Sequence, residues 1–171
     1  LYNFRNLKND TIDLSNREVY FVGENGQGKS NILESLYYSS YGVSFRTHTE
    51  SQIIKKNQKN FSINSIYKKN DEIQKVSKIY DEGKKRIEKN GKKIVDRKEL
   101  INTIPCILFC HDDMRFATGE PENRRFFIDQ SLTLYDSLYI DDLRNYKKIL
   151  KSRNLILKSH QYEMLDVYDN Q

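Results

Sequence analysis

Apolar positions along the 171 residues fall into a few short, separated patterns. Glu18-Val19-Tyr20-Phe21-Val22 is an apolar run closed by Gly23, which predicts a buried strand. From Lys29 to about Tyr41 the apolar residues Ile32, Leu33, Leu36 and Tyr37 recur on one helical face, and Gly42 supplies a stop. The period then changes. FSINSIY alternates, and Asn70-Asp71, Asp81-Glu82-Gly83 and Asn90-Gly91 are turn signals, so residues 61 to 95 predict an antiparallel meander. Ile101 to Cys110, containing IPCILFC, predicts a second buried strand. Glu120-Pro121-Glu122 opens a further helix, because proline is tolerated in a first turn and acids suit the N-terminal dipole. A long helix follows from about Leu134 to Lys158. In it Tyr139, Leu143, Tyr146, Leu150, Arg153 and Leu157 form a heptad-like seam broken by Arg153. The simplest use of such a seam is packing on its own domain.

Composition sharpens this picture in two ways. Charged residues make up 31% of the chain and apolar ones 37%, the balance of a folded and rather polar protein. No apolar stretch approaches the ~20 residues that span a bilayer, and no secretory segment is present, so a cytoplasmic protein without a membrane partner is expected. The net charge of +5 is unevenly spread: between Lys55 and Lys98 stand fifteen Lys/Arg against six Asp/Glu, leaving the remainder net acidic. A basic segment on an acidic body suits nucleic acid or another anionic surface, and it equally suits a solvated lysine-rich sheet face. The cations flanking the predicted turns, Lys84, Lys85, Arg86, Lys92 and Lys93, are the candidate DNA contacts. Cys106 and Cys110 would lie on one face of a strand but ~13 Å apart, too far for a disulfide or a shared metal. They fit core thiols of a reducing compartment.

The sharpest chemistry is local. GENGQGKS, Gly23 to Ser30, fits G-x-x-x-x-G-K-[ST] without a gap, between a predicted strand and a predicted helix. Gly23, Gly26 and Gly28 permit backbone shapes and close approach that a Cβ would block. With Glu24, Asn25 and Gln27 between them, they would present successive N–H groups to an anion at a helix N-terminus. Lys29 would reach the terminal phosphates of a nucleotide, and Ser30, followed by Asn31, would offer its hydroxyl to Mg²⁺. Hydrolysis demands more, namely a carboxylate after a second apolar strand to hold the metal. ILFCHDDM supplies Asp112 and Asp113 as candidates, and with Asp112 in that role the chain would be a small self-contained P-loop NTPase or kinase. A third possibility is a pure DNA-binding module with a vestigial phosphate loop.

LYNFRNL, GENGQGKSNILESLYY, GVSFRT, ENRRFFID, LKSRNLILK and LDVYDNQ together resemble, in order and spacing, the N-terminal half of the RecF family. This is a family of bacterial recombination-mediator ATPases related to SMC and ABC-type heads. The resemblance implies an α/β fold: an ABC/SMC-head-like ATPase lobe with a mixed sheet and antiparallel meander over residues 1–118, then the start of a helical lobe over 119–171. It implies ATP and Mg²⁺ as ligands, an ATP-dependent homodimer of the full-length protein, and DNA with gaps or junctions as partner. RecO and RecR would be protein partners in loading RecA. Arg5, with Asn6 beside it, would lie near the nucleotide base. Asp112 and Asp113 would match the acidic pair of a loop near Mg²⁺ rather than a Walker B acid. Val43, His111 and Asp112 depart from the usual arginine, proline and glutamate, and Ser30 for threonine keeps the hydroxyl. The family's signature motif and Walker B strand are expected downstream of Gln171, and the opening Leu1 suggests an upstream start. ATP binding without turnover is the resulting expectation for these residues alone.

Overall fold

The computed structural model of the chain describes residues 1–96, 98–101, 103–109, 119–136, 138–160 and 162–169. The chain divides into two compact units, Leu1–Leu108 and Phe109–Gln171. The boundary expected at residue 118 falls outside the described residues.

The first unit is organised by its turns. β1 (Asn60–Lys69), β2 (Glu72–Asp81), β3 (Lys84–Lys89) and β4 (Lys92–Lys93) form an antiparallel sheet in sequence order. Each connection is two residues long with both φ angles positive: 50° and 65° at Asn70-Asp71, 45° and 78° at Glu82-Gly83, 50° and 79° at Asn90-Gly91. That is the turn whose twist matches paired strands, and the sequence signals identified all three. The N-terminal residues run antiparallel beside this sheet, Tyr2 bridging Ser62 and Phe4 bridging Ile54. α1 (Lys29–Tyr41) lies against β1 and ends where expected, with Gly42 at φ 63° and its N–H on the Tyr38 carbonyl at 2.8 Å.

Two hydrophobic clusters hold the unit. Phe4, Tyr38, Ile53, Phe61 and Ile63 form one, its rings meeting edge-on at centroid distances of 5.4 to 6.3 Å. Val76, Ile87, Ile94 and Leu100 form the other, Leu100 standing on the short α2 (Lys98–Ile101).

Three sequence expectations need correction here. Residues 18–22 form no strand, and Tyr20 and Val22 are 79% and 92% exposed. Residues 105–109 form none either, although Ile101 to Cys110 was expected to; Ile107 and Phe109 face solvent, and residues 98–101 are helical instead. A strand needs a hydrogen-bonding neighbour, and among the described residues no strand lies beside either segment. On α1 the expected apolar face is only partly covered: Tyr37 is buried and Ile32 and Leu36 are half-buried. Glu34, Ser35, Tyr37, Tyr38, Ser39 and Ser40 are covered, and Leu33 is exposed.

The second unit is helical. α3 (Pro121–Tyr135) starts at its proline as predicted, and α4 (Tyr139–Ser159) and α5 (Leu165–Asp169) come after it. The long helix expected from Leu134 begins only at Tyr139. Asp136 takes an extended conformation, and its carboxylate accepts the Leu138 N–H at 2.8 Å, a local turn that competes with the helix. Arg153 breaks the apolar seam because its Nε donates to Asp169 of α5 at 2.6 Å. No described helix is long and apolar enough to cross a membrane.

Candidate functional site

The loop from Gly23 to Gly28 runs straight into α1, so the free N–H groups of the helix start and those of the loop share one place. Gly26 and Gly28 have φ of 82° and 110°, conformations that L side chains rarely adopt. A Cβ on Gly28 would also sit 2.9 Å from Asn6 Oδ1 and 2.8 Å from Leu7 Cδ2. No acid occupies the first turn of α1, so nothing there competes with an anion for the helix dipole. Lys29 curls back across the loop, its Nζ donating to the carbonyls of Gly23 at 2.6 Å and Glu24 at 2.7 Å. The ammonium is thereby stationed over the backbone that would cradle phosphate. Gln27 braces the turn by accepting the Glu24 N–H at 3.2 Å, while Asn25 and Ser30 are exposed.

Beside the loop is a hollow of about 510 Å³ lined by Arg5, Asn6, Asn31, Ile54, Lys55 and Lys56. Asn6 donates to the Gly26 carbonyl at 3.0 Å and accepts from Asn31 at 2.7 Å, which ties the hollow to the loop. Arg5 has a left-handed backbone, φ 50°, and its guanidinium is clamped by Glu34 at 2.7 and 3.0 Å and by the Gln52 carbonyl at 2.6 Å. A ring of cationic and amide groups with one aliphatic wall is chemistry suited to a polar heterocycle joined to phosphates. The predicted residues Arg5, Asn6, Gly23 to Gly28, Lys29, Ser30 and Asn31 are thus gathered at one place. Sequence reasoning did not foresee Lys55 and Lys56 lining the hollow, Glu34 clamping Arg5, or the bonds from the Ser44 hydroxyl and Arg46 to Glu34. For Glu34 the signal was a carboxylate inside the apolar stretch NILESLYY, and for Arg46 the arginine of the SFR block.

Magnesium in such sites keeps several waters and takes few protein ligands besides nucleotide oxygens. The exposed Ser30 hydroxyl at the helix start fits that requirement. Asp112 and Asp113, the predicted partners of Ser30, lie outside the described residues. Among the described residues no group of three His, Cys, Asp or Glu could hold a metal by itself.

The basic segment separates into two faces. Register places Lys75, Lys84, Arg86 and Lys93 on the solvent face of the sheet, where Arg86 pairs with Glu88 at 3.0 Å. Lys85 does not belong with them. Strand alternation turns it inward, where its Nζ bonds the Gly42 carbonyl and the Glu50 carboxylate. Lys92 pairs opposite Lys89 and so lies on the face away from Lys93, though exposed.

Comparison with known proteins agrees with this geometry. Residues 1–168 match the family described as AAA domain. The DNA replication and repair protein RecF of Treponema pallidum (strain Nichols) is 48% identical over 99% of this chain and 48% of that protein. The RecF of Clostridium botulinum (strain Loch Maree / Type A3) is 39% identical over the whole chain and again 48% of that protein. A solved structure of the recombination mediator protein RecF-ATP in the RecFOR pathway superposes with a TM-score of 0.80 at 29% identity, covering 98% of this chain and 47% of the other. The chain spans about half the length of the curated relatives it matches. It belongs to the AAA-domain family, and the relatives that are similar along nearly the whole of this chain are named DNA replication and repair protein RecF.

Proposed function

We propose that this chain carries the ATP-binding part of a RecF-type DNA repair and replication-fork protein, one that acts with RecO and RecR to promote RecA loading on gapped or junction DNA. The observation that carries the proposal is the loop itself. Two glycines in left-handed conformations, a lysine held over them and an acid-free helix start form an anion cradle beside a hollow of about 510 Å³. In that role the backbone of Gly23 to Gly28 and Lys29 bind the phosphates, Ser30 holds Mg²⁺, and Arg5, Asn6 and Asn31 face the nucleoside. Bound Mg²⁺ would neutralise phosphate charge. Asp112 and Asp113 are proposed as its further partners, and an ATP-dependent homodimer and a cytoplasmic location are proposed for the full-length protein. Membership of a family whose solved relative is described with ATP supports this over a vestigial loop. Thermal unfolding tests it. Saturating Mg-ATP should raise the melting temperature by several degrees, since a ligand at 100 times its Kd stabilises by about 2.7 kcal/mol. Lys29→Ala should abolish the rise, and an equal rise in the variant would refute the assignment. Steady ATP turnover lost on Asp112→Asn would favour the self-contained NTPase instead.

A further inference from the structure

Glu34 is wholly buried, one turn into α1, where the helix dipole and the loop supply no reason for an anion. A buried carboxylate survives only when paired and hydrogen-bonded. Glu34 receives Nε and Nη2 of Arg5 at 3.0 and 2.7 Å, the Ser44 hydroxyl at 2.5 Å, and Nη1 of Arg46 at 3.4 Å. Arg46 also reaches in the other direction, its Nη1 donating to Asn31 Oδ1 at 2.6 Å.

From Arg46 onward each hydrogen bond fixes the sense of the next. A guanidinium carries donors only, so Asn31 must show it a carbonyl and turn its NH₂ to the opposite side. There the NH₂ meets Asn6 Oδ1 at 2.7 Å, which forces the Asn6 NH₂ toward the Gly26 carbonyl at 3.0 Å. The peptide after Gly26 is planar and trans, so fixing that carbonyl aims the Gln27 N–H to the opposite side. In that direction the N–H has only a 3.5 Å contact with the Glu24 carbonyl. It is a donor left weakly satisfied inside an anion cradle.

We propose that Glu34 is a positioning residue for nucleotide binding. Through Arg46, Asn31 and Asn6 it holds the Gly26 peptide in the orientation that offers the Gln27 N–H to phosphate. This rests on the phosphate-loop assignment above. Anisotropy of a fluorescent N-methylanthraniloyl ATP with Mg²⁺, titrated with the whole chain, tests it in wild type, Lys29→Ala, Glu34→Gln, Asn31→Ala and the Glu34→Gln/Asn31→Ala double variant. Glu34→Gln and Asn31→Ala should each weaken binding about tenfold. The double variant should be no more than about twofold weaker than the poorer single one, because a serial chain breaks only once. Losses that multiply in the double variant would mean independent structural damage and overturn the proposal. So would Glu34→Gln within twofold of wild type; if Lys29→Ala still abolishes binding, the loop assignment stands. Equal binding by wild type and Lys29→Ala removes both. Should Glu34→Gln lose its cooperative melt, Arg46→Ala takes its place in the cycle, Arg46 being 45% exposed, and the same outcomes decide.

Discussion

Glu82 has a backbone, φ 45°, that suits its neighbour Gly83 but not itself. An L residue in the left-handed region costs about 1–2 kcal/mol, and asparagine bears it best after glycine. Glu82→Asn should therefore stabilise the chain by about 0.5–1 kcal/mol, a rise of roughly 2 °C in melting temperature for a chain of this size. A calorimetric scan showing no rise would refute it. Arg5 bears the same strain at φ 50°, but there the Glu34 fork and the Gln52 carbonyl hold the side chain over the hollow. At this scale the phosphate loop was legible in the sequence because its chemistry is contained in eight successive residues, Gly23 to Ser30. The role proposed for Glu34 was not legible there. Its meaning comes from Arg5, 29 positions away, and no local spacing encodes that pairing.

Among the elements, α1 is held at both ends by opposite logic. Its N-terminus is kept clear for an anion, while its C-terminal carbonyls are capped by cations: Lys78 Nζ on Ser39 and Lys85 Nζ on Gly42. Lys78 is buried in the sheet, and desolvation, with Lys85 nearby, lowers its pKa from 10.5 to about 8. Below pH 8 both folded and unfolded chains hold that proton. Between about pH 8 and 10.5 the folded chain has released it and the unfolded chain has not, so this group makes stability rise with pH across that window. The full change is on the order of 3 kcal/mol. Denaturant unfolding at pH 7.5 and pH 10 should show this gain in wild type and lose it in Lys78→Met; the same gain in both would exclude Lys78 as its source. The meander that carries Lys78 was legible because turn chemistry is local. The strands expected at 18–22 and 101–110 were not correctly foreseen, since an apolar run states a capacity to pair without stating that a neighbour is present.

Across the whole molecule, charge is sorted by strand alternation rather than by sequence neighbourhood. Lys84 and Lys85 are adjacent in the chain, yet one faces solvent and the other caps a helix. If the solvent face of the sheet contacts DNA phosphates, each cation contributes about one unit to the slope of log affinity against log salt. Lys84→Ala with Lys93→Ala should then reduce that slope by about 2, measured by anisotropy of a gapped duplex between 50 and 200 mM salt. An unchanged slope would move the DNA contact elsewhere.

The two-residue turns also set an order of assembly. Each strand of the meander finds the next across two residues, and hairpins of this kind close in microseconds. The hollow beside the phosphate loop needs far longer closures, from Arg5 to Glu34 and from Arg5 to Gln52, 29 and 47 positions apart. Each carries a larger entropic cost than a hairpin turn. The sheet is therefore expected to zip before the hollow closes upon it. Bound ATP would then act as a folding ligand, completing the part of the chain that closes slowest.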